Sequence, residues 1–253
     1  NMDQRITWSL IIAGVIVIAG AAIWGLWYLL KENQGPEMKK KLKKELNEIV
    51  ENASVNALDA FISQKSKAFI EDTAALGQVK TDAVITLTDT ELAARKAALL
   101  TTYTSTDNAK INSVVVTAAS DCLTTAQKKI DAAIEKEAKE IIKNLISKKI
   151  KDKASSLCEK EAKSATDKDV YNLVEHGSND ENTAKDKIKE KAQQEAMKKV
   201  EAIINNDQWL IIKTAVQTEG KEALKKNLTE IIKNKNDLID ETILTIANVP
   251  KKS

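Results

Sequence analysis

The chain has 253 residues, 39 basic and 37 acidic, and a net charge of +2, so it lacks the one-signed field that marks a nucleic-acid-binding protein. Its one histidine and two cysteines stand at no metal-ligand or disulfide-framework spacing. Aromatics make up 4% of the residues against a vocabulary of Ala, Ile, Leu and Lys, which suits thin helical layers rather than a thick core.

Ile6 to Leu30 is a run of 25 residues with no charged side chain. As a helix it rises roughly 37 Å at ~1.5 Å per residue, more than the ~30 Å hydrocarbon core requires, and predicts one tilted transmembrane span. Trp8 near one end and Trp24, Trp27 and Tyr28 near the other fit the two aromatic belts of a membrane anchor. Gly14, Ala21 and Gly25 share one helical face, where small residues let a second helix approach. Ala19-Gly20-Ala21 resembles a signal-cleavage site, but the apolar run continues past it and Asp3 offsets Arg5, which favours a retained anchor. A buried core helix would need an equally apolar partner, and no later segment supplies one. Only Arg5 precedes the span, whereas Lys31, Lys39, Lys40, Lys41, Lys43 and Lys44 follow it. That asymmetry places the C-terminal body on the cytoplasmic or matrix-equivalent side, in an organelle, a bacterial envelope or a virion membrane alike.

The expected layout is a tail over 1–5, the span over 6–30, a juxtamembrane linker over 31–36, a first helical region over 37–166, a linker over 167–186, a C-terminal helical region over 187–249 and a tail over 250–253. No proline stands between Pro36 and Pro250, and only Gly77, Gly177 and Gly220 interrupt that stretch. Few breakers predict an all-α body of few, long helices, as a bundle or an extended form.

From Glu37 to about Ala75, apolar residues including Leu42, Leu46, Val50, Ala57 and Phe61 recur at three and four, an amphipathic helix that Gly77 would close. Lys39, Lys40, Lys41, Lys43 and Lys44 at its start read equally as a contact for anionic lipid head groups and as a topology signal on a solvated face. Val84, Ile85 and Leu87 among threonines have strand character, yet no partner strand accompanies them. Thr88-Asp89-Thr90-Glu91 has the capping-box pattern and opens a helix through Leu99. Thr101 to Asn108 reads as a loop with Asp107 as cap.

Ile111 to about Ser164 reads as the longest helix, with Val114-Val115-Val116 kept helical despite the β-branched run. Its stripe of Ile130, Ile134, Ala138, Ile141 and Leu145 drifts toward Ile142, Ile146, Ile150 and Leu157. Cys122 and Cys158 on that helix stand too far apart for a disulfide and read as small apolar residues. Asp167 to Asp186, centred on His176-Gly177-Ser178-Asn179-Asp180, shows no apolar period and reads as a linker. Ile188, Ala192, Ala196, Val200 and Ile203 give the next helix. Asp207 would cap a short helix bearing Trp209, Leu210 and Ile211 that stops at Gly220, and Leu224, Leu228, Ile231, Leu238 and Ile246 trace a last helix before Pro250.

Chemistry is sparse. His176 reads as an exposed loop residue, and there is no Gly-rich phosphate loop, nucleophile elbow or zinc-binding helix pair. Carboxylates alternate with lysines at helical spacing and read as surface pairs. No catalytic residue, cofactor, metal or nucleic-acid partner is expected. Asn52-Ala53-Ser54 and Asn227-Leu228-Thr229 match the glycosylation sequon, which matters only for a lumenal body.

In layout, with a short N-terminus, one span and an Ala/Lys/Glu-rich helical body on the basic side, the chain resembles the membrane-anchored b-type stalk subunits of rotary ATP synthases. It departs from them in its breaks at Gly77, Thr101 to Asn108, Asp167 to Asp186 and Gly220. The resemblance implies a peripheral-stalk role. From the residues themselves the expectation is a non-enzymatic scaffold that tethers a larger assembly to a membrane, with lipid and other protein subunits, including further copies of itself, as partners. Its ground is the joint presence of a firm anchor, long amphipathic helices whose apolar stripes exceed what a thin monomeric core can hide, and no catalytic constellation. The alternative is a helical module that binds anionic lipid.

Overall fold

A computed structural model describes residues 35–253. The expected span, with Trp8, Trp24, Trp27, Tyr28, Gly14, Ala21 and Gly25, lies outside the described residues. No helix among the described residues is long and apolar enough to cross a membrane. These residues are 88% helical and contain no strand. The helices are α1 (Pro36–Glu71), α2 (Thr73–Lys80), α3 (Asp89–Leu100), α4 (Ser105–Thr117), α5 (Ala119–His176), α6 (Glu181–Ile203) and α7 (Asn206–Ala247).

Several boundaries differ from the sequence expectation for identifiable reasons. The first helix breaks at Asp72, whose Oδ1 accepts from the N–H groups of Ala74 (3.1 Å) and Ala75 (3.2 Å) and so opens α2, while Gly77 lies inside α2. Thr88 caps α3 as expected, its oxygen accepting from the Glu91 N–H at 3.2 Å. The Glu91 carboxylate accepts from the Thr88 hydroxyl, which makes this half of a capping box. Thr104, rather than Asp107, caps α4. The long helix is divided at Ala118, directly after the valine run, where the Thr117 hydroxyl donates back to the Ser113 carbonyl at 2.6 Å and bends the chain. Asn205 Oδ1, rather than Asp207, caps α7, and α7 continues through Gly220. Asn248 ends it in the left-handed region at φ 55°, with the Val249 N–H reaching the Leu244 carbonyl at 2.9 Å.

The expected linker over 167–186 is corrected most. Residues 167–176 continue α5, and residues 177–180 alone turn before α6 begins. Gly177 supplies the turn at φ 67°, its N–H closing on the Leu173 carbonyl at 3.0 Å. Thr166, Val170, Leu173 and Val174 are buried there, a stripe that the surrounding Asp and Lys residues conceal in the sequence.

On α5 every fourth residue from Cys122 through Ile130, Ile142, Ile150, Ala154, Cys158 and Ala162 to Val174 is buried. A step of four residues advances about 40° around a helix of 3.6 residues per turn, so this stripe drifts as expected. It drifts onto Cys158, however, and leaves Leu157 44% exposed.

The described chain divides into two compact units. The first holds the described residues up to Asp59 together with Lys153–Ile203, and the second holds Ala60–Asp152 and Ile204–Ser253. The expected linker therefore falls within one unit.

In the first unit α1 runs antiparallel to α5, as Lys39–Glu175 (2.9 Å) and Glu51–Lys163 (3.0 Å) show, and α6 returns along α5 with Asp169–Lys191 at 2.9 Å. Glu45–Lys185 at 2.9 Å joins α1 to α6. All three helices bury residues four apart, such as Leu42, Leu46 and Val50 on α1 and Ile188, Ala192, Ala196 and Val200 on α6. A period longer than 3.6 is the pattern that goes with right-handed winding. Ala53, Ala57, Ala154, Cys158, Ala162 and Ala192 supply small side chains to this core.

The second unit has larger core residues, among them Phe61, Phe69, Leu76, Val79, Ile130, Ile146, Ile212 and Leu224. There α7 runs antiparallel to α5, with Asn227 donating to Glu137 at 2.8 Å and Lys149 paired with Glu219. Gly220 is buried where α2 meets α7: a Cβ there would stand 3.3 Å from Val79 Cγ1 and 3.8 Å from Leu145 Cδ1. The segment between α2 and α3 is tied to α7 by the Asp82–Lys221 pair at 3.3 Å and to α5 by Gln127. The Gln127 amide donates to the Ile85 carbonyl (2.7 Å) and accepts from the Leu87 N–H (2.9 Å).

Candidate functional site

The lysines singled out at the start of α1 divide into two sets. Leu42 and Leu46 turn inward, which puts Lys40, Lys41 and Lys44 on the opposite, exposed side of the first turns. Lys39 is half-buried against Glu175 of α5, and its hydrogen bond, with help from Lys43, holds the Glu175 carboxyl below the usual carboxylate range. Asp167 and Glu175 of α5 line one hollow with Lys43, so the lysine run has acidic neighbours within its own fold. Lys185, between Glu45 and Glu181, is held further into its charged form, and Lys163 likewise between Glu159 and Glu51.

His176 is the last residue of α5 and is exposed, its ring edge-on to Tyr171 at 6.4 Å. It lines an open hollow in the crook of the α5–α6 turn with Asp169, Asn172, Lys187 and Lys191, where the Asp169 carboxylate is already taken by Lys191. A second hollow, beside α1, is lined by Lys43, Lys168, Val170 and Tyr171. A third lies on α7 along Leu210, Ile211, Thr214 and Thr218. Among the described residues no group of three or more His, Cys, Asp or Glu side chains could hold a metal ion.

No protein-family model, curated protein or solved structure matches this chain.

Cys122 and Cys158 are free and buried, and burial pushes both thiols up, away from the reactive thiolate. Of the two sequon asparagines, both lie within helices: Asn52 on α1, followed by the buried Ser54, and Asn227 with its amide committed to Glu137.

The most structured polar contact is one that spacing does not reveal. Arg95 on α3 donates from Nε to Asp240 Oδ1 (2.8 Å) and from Nη2 to Oδ2 (2.6 Å) on α7, 145 residues away. The pair is mostly shielded, with side chains 26% and 18% exposed, and Asp240 raises the Arg95 pKa above its ordinary value. A signal was present in the composition. In a chain that uses lysine almost everywhere, the one arginine of the body stands where a planar two-point donor is required.

The stripes expected to await an outside partner are for the most part covered within the chain, and the larger exposed apolar residues, such as Val84, Val116, Leu210 and Ile232, are scattered over several elements.

Proposed function

We propose that this is a non-enzymatic structural protein in which a single N-terminal span holds a self-contained helical body at a membrane, and the polar surface of that body carries a larger assembly. The observation that supports the reading best is the joining of two unlike parts: an uncharged run from Ile6 to Leu30, and a body whose helices hide their own stripes behind ion pairs between helices. Such a body needs no partner to stay folded, so partners engage its charged exterior and not an open apolar seam. The lysine asymmetry supports a cytoplasmic or matrix-equivalent position for it. Other protein subunits and membrane lipid are the partners this implies.

A second reading, a module that acts on anionic lipid, is favoured by the outward Lys40, Lys41 and Lys44. The stalk resemblance finds less support, because α1 is folded back against α5 where a stalk helix would run on.

Recovery of the full chain from its native membrane under mild detergent tests these readings. A stoichiometric protein partner retained when Lys39, Lys40, Lys41, Lys43 and Lys44 are all changed to Gln supports the scaffold. A monomer whose membrane-surface binding disappears with those changes supports the lipid module, and co-purification with a rotary ATPase supports the stalk. Both cysteines are buried, so orientation is read by protease protection of sealed vesicles rather than by thiol labelling.

A further inference from the structure

In the second unit α3, α4 and α7 pack on one another, with Leu92, Leu99, Ile111, Val115, Ile239 and Ile243 buried. Polar ties remain inside the same group. Arg95 grips Asp240, the Asn108 amide donates to the Leu100 carbonyl at 3.0 Å, and the Lys252 N–H donates to the Tyr103 hydroxyl at 3.1 Å. Among the described residues no side-chain hydrogen bond or ion pair leads from 92–117 or 239–253 to a residue outside 88–118 and 235–253.

Three connections join this group to the remainder, and each buries few side chains, with Asp82–Lys221 (3.3 Å) and Asn227–Glu137 (2.8 Å) as polar ties across two of them. The segment between α2 and α3 is non-helical, with Val84 73% exposed and Gln127 as its clasp to α5. Helices α4 and α5 part at Ala118. From Lys225 to Leu238 no side chain of α7 is buried, although Leu224 before and Ile239 after are, and Ile232 in between is 50% exposed. A group of elements that pack on one another and have lightly packed connections is what opens as a cooperative piece below the free energy of global unfolding.

We propose that α3, α4 and the C-terminal turns of α7 form a hinged cap, which opens as one piece about the 81–88 segment, Ala118 and the Lys225–Leu238 stretch while α5 stays folded. Cys122, fully buried one turn beyond the Ala118 hinge, is the thiol that adjoins the cap and reports its opening. The inference does not depend on the membrane span. It holds or fails on the second unit alone.

The test uses the full chain in mild detergent and reads thiol labelling under native conditions, with Cys122 as reporter of the cap and Cys158, in the first unit, as internal control. Arg95→Leu removes a two-point charged contact, so Cys122 labelling accelerates roughly tenfold to a hundredfold while Cys158 is unchanged. A parallel rise at both thiols, or no change at Cys122, overturns the proposal. Should Arg95→Leu fail to fold, hydrogen exchange on the unaltered chain decides the matter. Amides of 89–117 and 239–247 exchange together and ahead of 130–150 if the cap exists, and equal protection of all three stretches refutes it.

Discussion

Arg95 and Asp240 meet fork to fork, at 2.8 and 2.6 Å, across 145 residues of sequence. Lysine at position 95 keeps the charge and loses the second hydrogen bond. Arg95→Lys is therefore expected to lower stability by about 1–2 kcal/mol in denaturant unfolding, within the range of charged hydrogen bonds. The reverse exchange at the exposed Lys136, Lys136→Arg, is expected to leave stability unchanged. Equal effects of the two exchanges would show that the geometry at Asp240 contributes nothing.

Gly77 and Gly220 look alike in the sequence and differ in space. A Cβ at Gly77 meets nothing within 4 Å, so Gly77→Ala is expected to stabilise α2 by roughly 0.5–1 kcal/mol through helix propensity. A Cβ at Gly220 would stand 3.3 Å from Val79 Cγ1, and Gly220→Leu is expected to destabilise by about 1–3 kcal/mol through overpacking. Thermal unfolding of the two variants in opposite directions is the expected result.

The same two residues show what the sequence could convey. Apolar periodicity is a property of a helix face, so Ile130, Ile142, Ile188, Ala192 and Leu224 were legible as core. A glycine's role depends on what stands opposite, and Val79 lies 141 residues from Gly220, so both glycines read as helix stops and neither is one. Asp167 to His176 failed for a related reason: Thr166, Val170 and Val174 keep the four-residue step, but the charged residues between them resemble a linker until α6 is seen folded against them. Caps at Asp72, Thr104 and Asn205 were missed because each stretch offers several side chains able to cap, and only backbone geometry selects one. At the lysine run, the acids from α5 and α6 became visible only with the fold.

Ser66 is buried on α1, and its hydroxyl has no hydrogen-bond partner. Ser66→Ala removes a desolvated polar atom and adds a better helix former, and is expected to raise stability by about 1 kcal/mol. A loss on calorimetric unfolding would reveal a partner for that oxygen.

Glu175, Asp72 and Asp180 all titrate below their ordinary values, drawn down chiefly by Lys39, Lys213 and Thr183 respectively. A carboxyl with a depressed folded pKa binds fewer protons folded than unfolded, so its contribution is present above the unfolded value and disappears as pH falls through the folded one. Stability is therefore expected to decline below the ordinary values of 4.5 for Glu175 and 3.8 for the two aspartates. Glu175→Gln should flatten the first part of that decline in an acid titration followed by circular dichroism. An acid limb identical to that of the parent chain would remove Glu175 from the account.

The central claim, a self-contained helical body held at a membrane by the run from Ile6 to Leu30, is tested most directly by alkaline carbonate extraction of membranes bearing either the full chain or a chain lacking residues 1–34. The full chain is expected to stay with the membrane, and the shortened chain to appear in the supernatant as a folded helical monomer. Extraction of the full chain into the supernatant, or retention of the shortened chain on the membrane, would contradict it.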